Sequence, residues 1–298
     1  MALLDVSNVT VQFGGVTAVD NASISVEGGS ITGLIGPNGA GKTTLFNVIT
    51  GLQPPTKGKV RFLENDVSKA TVNARAKAGM GRTFQRLEAF GSLTVRENVL
   101  AARDIHSGAK SWFKRTKDPK VDQLIERVGL TEYAKQRADS VPTGVARLLE
   151  MARALAIEPR LLLLDEPSSG LDEAETEKFG DLLEDLASDG CAILMVEHDM
   201  DLVMRVCHLI HVLEFGKVIA TGDPEAIRAN PTVQAAYLGF VDESEEATEM
   251  TAVLNAIASE HDPLASEALP TETTMELPAI GDLSAVEEIF AEQDGDER

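Results

Sequence analysis

The sequence predicts an α/β fold, and three observations carry that expectation. The apolar run Ile31-Thr32-Gly33-Leu34-Ile35 enters a glycine-rich loop and leaves it as the helix-like Leu45-Phe46-Asn47-Val48-Ile49. Leu161-Leu162-Leu163-Leu164 is short and wholly apolar, the pattern of a strand buried on both faces of a parallel sheet. Beyond it, a polar-faced helical stretch (Glu173 to Ala187) is followed by strand Ala192 to Val196, a helix from Met200, and strands Leu209 to Leu213 and Lys217 to Thr221. Alternation of this kind lays helices over a mostly parallel sheet.

Ahead of those elements, residues Leu3 to Phe62 alternate short β-branched segments with glycine turns. The segments are Val9-Thr10-Val11, Ile24-Ser25-Val26 and Lys59-Val60-Arg61-Phe62. The helix after the glycine-rich loop is expected to stop at Gly51, placed as a C′ glycine. From about Thr94 to Leu155 the periodicity is helical, with turn-like breaks at Gly108, Gly129 and Pro142-Thr143-Gly144. No internal repeat is visible. After Gly239 the composition shifts to Glu, Ser, Thr, Ala and Pro, so residues 1–240 are expected to form one domain and 241–298 a disordered acidic tail. Leu283, Val286, Ile289 and Phe290 share a helical face within that tail, and a solvated tail is favoured over a docking helix.

Bulk composition narrows the function classes. The 43% hydrophobic content of the 298 residues supports a full core. Cys191 and Cys207 both lie in apolar segments, which favours buried thiols over a disulfide. No apolar run approaches the length of a membrane span, and Met1-Ala2-Leu3-Leu4-Asp5 has no leader character, so a cytosolic chain that meets a membrane only through a partner is expected. The net charge of −21 is concentrated after Asp242, where 17 acids stand against the single base Arg298. Nothing reads as a basic stripe, so nucleic acid is not expected as the main ligand.

Gly36-Pro37-Asn38-Gly39-Ala40-Gly41-Lys42-Thr43-Thr44 fits G-x-x-x-x-G-K-[ST] in strand–loop–helix context. Its glycines let backbone N–H groups close round a di- or triphosphate, and the following helix N-terminus adds positive potential. Lys42 can reach the β- and γ-phosphates, and Thr43 offers a hydroxyl to Mg²⁺. The chain therefore reads as a nucleotide binder. Phosphoryl transfer also needs a carboxylate for the metal and a base for the attacking water. The apolar run at Leu161 ends in Asp165-Glu166-Pro167, and two adjacent acids on a buried strand are costly without a cation. Asp165 suits the metal and Glu166 the water. His198, in Val196-Glu197-His198-Asp199, could contact a γ-phosphate or be an ordinary histidine.

Taken in order over residues 3–240, these motifs resemble the ATP-binding cassette ATPases of ABC transporters. The resemblance implies a P-loop core with an N-terminal antiparallel β subdomain and a helical subdomain near residues 94–155. GPNGAGKTT matches the Walker A motif, LLLLDEP the Walker B with its catalytic glutamate, and Ser169-Gly170-Leu171-Asp172 the D-loop. His198 matches the switch histidine, and Gln85 the Q-loop glutamine that in the family touches Mg²⁺ and senses the membrane subunit. Phe13 stands where the family places an aromatic that stacks on adenine; a core phenylalanine is the other reading. Within the family, Arg82–Ala102, Glu197–Met204 and Ala229–Gly239 are most similar to the branched-chain amino acid importers.

One motif departs from the pattern. Where the family signature LSGGQ should stand, the chain has Val141-Pro142-Thr143-Gly144-Val145. In the family, that serine and the glycine N–H groups grip the γ-phosphate bound to the opposite subunit. Pro142 removes the hydroxyl and one backbone donor. Either this is a tolerated variant whose helix N-terminus still binds phosphate, or it is a degenerate half-site. The resemblance implies ATP and Mg²⁺ as ligands and separate integral membrane permease subunits that hold this cytoplasmic chain peripherally on the inner face of the plasma membrane, with an extracytoplasmic solute-binding protein as an indirect partner. It also implies a second cassette, as a heterodimer rather than a homodimer if the half-site is degenerate. A soluble cassette ATPase, or a nucleotide-dependent regulator not coupled to transport, is the alternative.

Overall fold

The computed structural model describes residues 2–83, 89–107 and 118–238. Its elements are β1 (Ala2–Phe13), β2 (Val16–Glu27), β3 (Ile31–Ile35), α1 (Lys42–Thr50), β4 (Lys57–Phe62), β5 (Asn65–Asp66), α2 (Val72–Lys77) and β6 (Met80–Arg82). Then come α3 (Val95–Ser107), α4 (Pro119–Arg127), α5 (Thr143–Leu155), β7 (Leu161–Asp165), α6 (Glu173–Ser188) and β8 (Ala192–Val196). The last are α7 (Met200–Val206), β9 (Leu209–Glu214), β10 (Lys217–Gly222), α8 (Pro224–Arg228) and α9 (Pro231–Leu238). The expected acidic tail, 241–298, lies outside the described residues, as does the break expected at Gly108.

Two sheets divide the strands. β2-β1-β4-β5 is antiparallel, and β10-β9-β3-β8-β7-β6 is parallel except for the edge strand β10. The wholly apolar character of the parallel strands follows from burial on both faces. Leu162 and Leu164 of β7, with Ile193 and Met195 of β8, join a core made with α5, α6 and α7. The alternate residues Leu161, Leu163, Ala192 and Leu194 join a second core with α1 and the antiparallel sheet. Side chains on a strand alternate faces, so a strand between two apolar layers needs apolar residues at every position. Truncating one of these leucines to alanine would cost about 2–5 kcal/mol.

The structure departs from the sequence reading in three places. β1 and β2 are 12 residues each, much longer than the β-branched triplets, because polar residues such as Asp5 and Ser25 pair as well as the valines do. β6, three residues long, forms the edge of the parallel sheet beside β7, where no periodicity pointed to a strand. Pro142-Thr143-Gly144 is not a break between helices: Pro142 is the N-cap of α5, and Thr143 and Gly144 are its first turn. Proline suits that position, since its φ of −57° is already set and its missing N–H has no partner to lose. Gly51 caps α1 in the left-handed conformation with φ 83°, as expected. Cys191 and Cys207 are free thiols, the latter buried.

His211 fastens the two sheets together. On β9 it is buried, with Nδ1 2.8 Å from the Thr221 hydroxyl and Nε2 3.2 Å from the Ser25 carbonyl of β2. Burial lowers its pKa below 6.5, partly offset by the Ser25 backbone. The unfolded chain therefore binds a proton that the fold refuses, so stability present above pH 6.5 is lost as pH falls through the folded value. We expect His211→Gln to flatten the pH dependence of stability as pH falls below 6.5, removing a slope of up to about 1.4 kcal/mol per unit. Denaturant unfolding of both proteins across that range checks this; parallel pH profiles would refute it.

Candidate functional site

Parallel pairing of β3 with β8 and of β8 with β7 brings three strand ends into one row. From the end of β3 comes the loop Gly36 to Gly41, from β7 the pair Asp165-Glu166, and from β8 the run Glu197-His198-Asp199. Ligand sites of open α/β sheets lie at such carboxyl ends.

The phosphate loop is held by close backbone approach. At Gly36, φ is 147° and a Cβ would sit 1.9 Å from the Leu213 carbonyl oxygen of β9. At Gly41, φ is 103° and a Cβ would sit 2.5 Å from the Ala18 carbonyl oxygen of β2. Neither position admits another residue. Gly216 N–H donates to the Ala40 carbonyl at 2.9 Å and closes the loop from the β9–β10 turn. Pro37 is half-buried, Asn38 and Gly39 are exposed, Ala40 is buried, and Thr43 and Thr44 open the first turn of α1 with its N–H groups uncapped by any side chain.

Lys42 is 7% exposed, and its Nζ donates to the carbonyls of Gly36 at 2.5 Å and Pro37 at 3.1 Å. Burial lowers its pKa, while Glu166 and Asp165 nearby raise it. An ammonium has three donors, so one remains for a ligand at the loop mouth.

Asp165 is also buried, and burial raises its pKa against the opposing pull of Arg82 and Lys42. Its Oδ2 is 3.1 Å from Arg82 Nη2, and among the described residues its Oδ1 accepts no hydrogen bond. A carboxylate oxygen and the Thr43 hydroxyl are hard donors of the kind Mg²⁺ takes, together with water and phosphate oxygens. Among the described residues no group of three or more His, Cys, Asp or Glu could hold a metal ion. Gln85, expected beside this metal, lies outside the described residues.

Glu166 has φ 50°, a left-handed conformation unusual for a residue other than glycine. Its N–H donates to the Val196 carbonyl at 2.9 Å, and its Oε1 is 3.0 Å from His198 Nε2. The residue expected to supply the base and the expected switch histidine are thus in contact.

Phe13 is 49% exposed at the end of β1, which excludes the core reading and leaves its ring available. The signature stretch adjoins the D-loop of its own chain. A Cβ on Gly144 would lie 2.9 Å from the Glu175 carboxylate of α6, and one on Gly170 would lie 3.2 Å from Thr143 Cγ2. Arg147 Nε donates to the Ser169 carbonyl at 3.2 Å. Asp172 caps α6, accepting from Glu175 N at 2.8 Å while Glu175 accepts from Asp172 N at 3.0 Å. Asp172 and Gly144 therefore have packing roles within this chain. Val145 is buried and Pro142 exposed.

Two further residues belong to the site. Glu197 is buried, and its two carboxylate oxygens accept from Ser168 N at 2.7 Å and His198 N at 3.0 Å. Burial raises its pKa, and these N–H bonds oppose that rise. It ties the loop after Glu166 to the loop of His198. An acid closing the apolar run Ala192 to Val196 was the signal available in the sequence. Tyr237 of α9 is buried, and burial pushes its phenol upward while a backbone hydrogen bond from Gly36 opposes the shift. The C-terminal segment thus touches the phosphate loop.

We expect Glu197→Gln to lower thermal stability by an amount equivalent to about 1–3 kcal/mol, since one buried N–H then faces an amide N–H₂. Turnover should fall with little change in nucleotide affinity, because the clamp acts on Glu166 and His198 and not on the phosphate loop. Thermal unfolding, nucleotide binding and phosphate release check this together. Unaltered melting and turnover would dismiss the clamp.

Comparison with known proteins agrees with the motif order. The ABC transporter family profile matches residues 19–169, and that of the branched-chain amino acid ATP-binding cassette transporters matches residues 217–239. The chain is 39% identical over 249 residues to the high-affinity branched-chain amino acid transport ATP-binding protein LivG of Salmonella typhimurium, covering 80% of this chain and 98% of that protein. It is 38% identical over 249 residues to the corresponding protein BraF of Pseudomonas aeruginosa, with the same coverage of 80% and 98%. The lipopolysaccharide export system ATP-binding protein LptB of Haemophilus influenzae is 33% identical over 239 residues, covering 80% of this chain and 98% of its own length. Among solved structures, an ATP-binding cassette of an ABC transporter in its ADP conformation superposes with a TM-score of 0.72 at 30% identity, covering 80% of this chain and 99% of that one.

Proposed function

The chain belongs to the ABC transporter family, and from that premise we propose that it is the ATP-hydrolysing subunit of an importer for branched-chain or chemically related amino acids. The observation that carries hydrolysis is the Glu166–His198 contact of 3.0 Å beside the buried Lys42. Uptake of amino acids rests on the match over residues 217–239 and on the amino-acid transport relatives. A relative named for lipopolysaccharide export means that cassette similarity alone does not fix direction or solute. A regulator that binds nucleotide without hydrolysing it would not need Glu166 paired to His198.

In this reading Phe13 stacks on adenine and the backbone of Gly36 to Gly41 wraps the phosphates. Lys42 meets the β- and γ-phosphates. Thr43, Asp165 and Gln85 hold Mg²⁺, which supplies charge neutralisation for the phosphoryl oxygens when bound. Glu166 accepts the proton of the attacking water, and His198 fixes the orientation of its carboxylate. Among the described residues no helix is long and apolar enough to cross a membrane, so coupling runs through separate permease subunits. They would dock near the groove of about 280 Å³ lined by Leu52, Val72, Met80, Thr83 and Arg153. Through those subunits the chain sits on the inner face of the plasma membrane.

Glu166→Gln should bind MgATP and barely turn over, whereas Lys42→Ala should weaken nucleotide binding itself. Binding and single-turnover hydrolysis in the assembled transporter separate the two. Near wild-type hydrolysis by Glu166→Gln would remove it as the base.

The altered signature points to a heterodimer. In a head-to-tail pair each ATP lies between one subunit's phosphate loop and the other's signature. This chain's own loop meets a full set of catalytic groups, while the site built on Val141 to Val145 lacks the serine hydroxyl. Losing one charge-assisted hydrogen bond costs about 1.5–3 kcal/mol, roughly one or two decades in rate if it acts in the transition state. Lys42→Ala should then abolish most turnover of the complex, and the equivalent change in the partner should matter less. Equal losses, or full activity as a homodimer, would reject the asymmetry.

A further inference from the structure

Asp165 does not stand alone at the end of β7. Arg82 ends the short strand β6, whose pairing sets Arg82 opposite Leu163. Its Nη2 is 3.1 Å from Asp165 Oδ2, while Nη1 donates to Asn47 Oδ1 at 2.8 Å and to Thr50 Oγ1 at 3.1 Å. The guanidinium also lies over the Phe46 ring, 5.8 Å from its centre. Its side chain is 11% exposed and that of Asp165 5%. One planar group therefore joins the helix after the phosphate loop, the edge strand leading to Gln85, and the carboxylate read above as the metal ligand.

We propose that Arg82 is the positioning residue for the metal carboxylate. By engaging Oδ2 it fixes the rotamer of Asp165 and leaves Oδ1 as the oxygen available to a cation. The bond to Asn47 and Thr50 ties that orientation to α1, whose first turn presents Thr43, so the two protein ligands are set relative to each other before nucleotide arrives. A fork with separate nitrogens for the carboxylate and for α1 is needed; a lysine would reach one side only. As a device for stability alone, a buried ion pair is a poor choice, since an apolar pair of similar volume often does as well. The proposal rests on the reading of Asp165 as the Mg²⁺ carboxylate.

The test uses thermal shift of the full chain with ADP, so that hydrolysis plays no part. Two quantities are measured: the ADP concentration for half-maximal shift in EDTA, and the Mg²⁺ concentration for half-maximal further shift at saturating ADP. Arg82→Met should raise the Mg²⁺ requirement about ten-fold or more, the range typical for removing the supporting partner of a metal ligand, and leave the EDTA value within about two-fold. Arg82→Lys should fall between wild type and Met, and it carries the same test if the methionine variant does not fold. An unchanged Mg²⁺ requirement overturns the proposal, as does an equal loss of ADP affinity in EDTA, which would make Arg82 a support of the phosphate loop. Asp165→Asn is the control: if it leaves the Mg²⁺ requirement unchanged, the metal reading of Asp165 itself falls.

Discussion

Everything at the site depends on the parallel ladder of β3, β8 and β7. Its last pair is Asp165 with Val196, and Glu166 N–H extends it by one further bond to the Val196 carbonyl. That extra bond holds Glu166 in a left-handed conformation, which for a residue with a Cβ costs roughly 1–2 kcal/mol. The bond offsets part of the strain, and the Glu166 Oε1 lies 3.0 Å from His198 Nε2. Two adjacent acids on an ideal strand would point to opposite faces; here Asp165 bonds Arg82 and Glu166 bonds His198. Glu197, gripping the loops on both sides, then prevents the two strand ends from drifting apart.

The charges in this cleft are balanced unevenly. Asp165 faces a guanidinium, so its burial is compensated by an opposite charge. Lys42 bonds neutral carbonyls, and among the described residues Glu166 and Asp165 supply the opposing charge. Carbonyl oxygens orient an ammonium without neutralising it. A buried cation in that condition is unfavourable by itself, and its burial is relieved when a phosphate of opposite charge enters the loop. The same low-dielectric setting that depresses its proton affinity also strengthens its attraction to phosphate.

Much of this was legible in the sequence because the period-two and period-3.6 signals coincide with function. The glycine-rich loop, the acids after Leu161 to Leu164 and Glu197 all follow buried parallel strands whose composition is nearly forced. What was not legible lies where local pattern carries no information. β6 is too short for a period, and its significance comes from Arg82 meeting Asp165 across 83 residues of sequence. Glu197 stands beside a histidine that drew attention first, yet it is the more buried of the two. Phe13 could be assigned to a core or to a ligand surface on pattern alone, and only its exposure separates the two. Pro142-Thr143-Gly144 looked like a break because proline and glycine favour turns; the same residues suit a helix start.

That last point bears on what a changed signature can still do. Pro142 ends its own ability to donate, yet as N-cap it leaves the N–H groups of Thr143, Gly144 and Val145 at the open end of α5, with no side chain accepting from them. The positive end of a 13-residue helix persists there. Gly144 also sits against α6, where a Cβ would lie 2.9 Å from the Glu175 carboxylate and oblige that side chain to shift. The Glu175 carboxylate lies close to that same helix start and already answers part of its dipole, while its capping bond to Asp172 fixes it in place. A phosphate arriving from an opposing subunit would meet backbone donors and a helix dipole, but also a nearby carboxylate and no serine hydroxyl. The physical expectation is a site weakened in its grip on the terminal phosphate and still shaped to receive it.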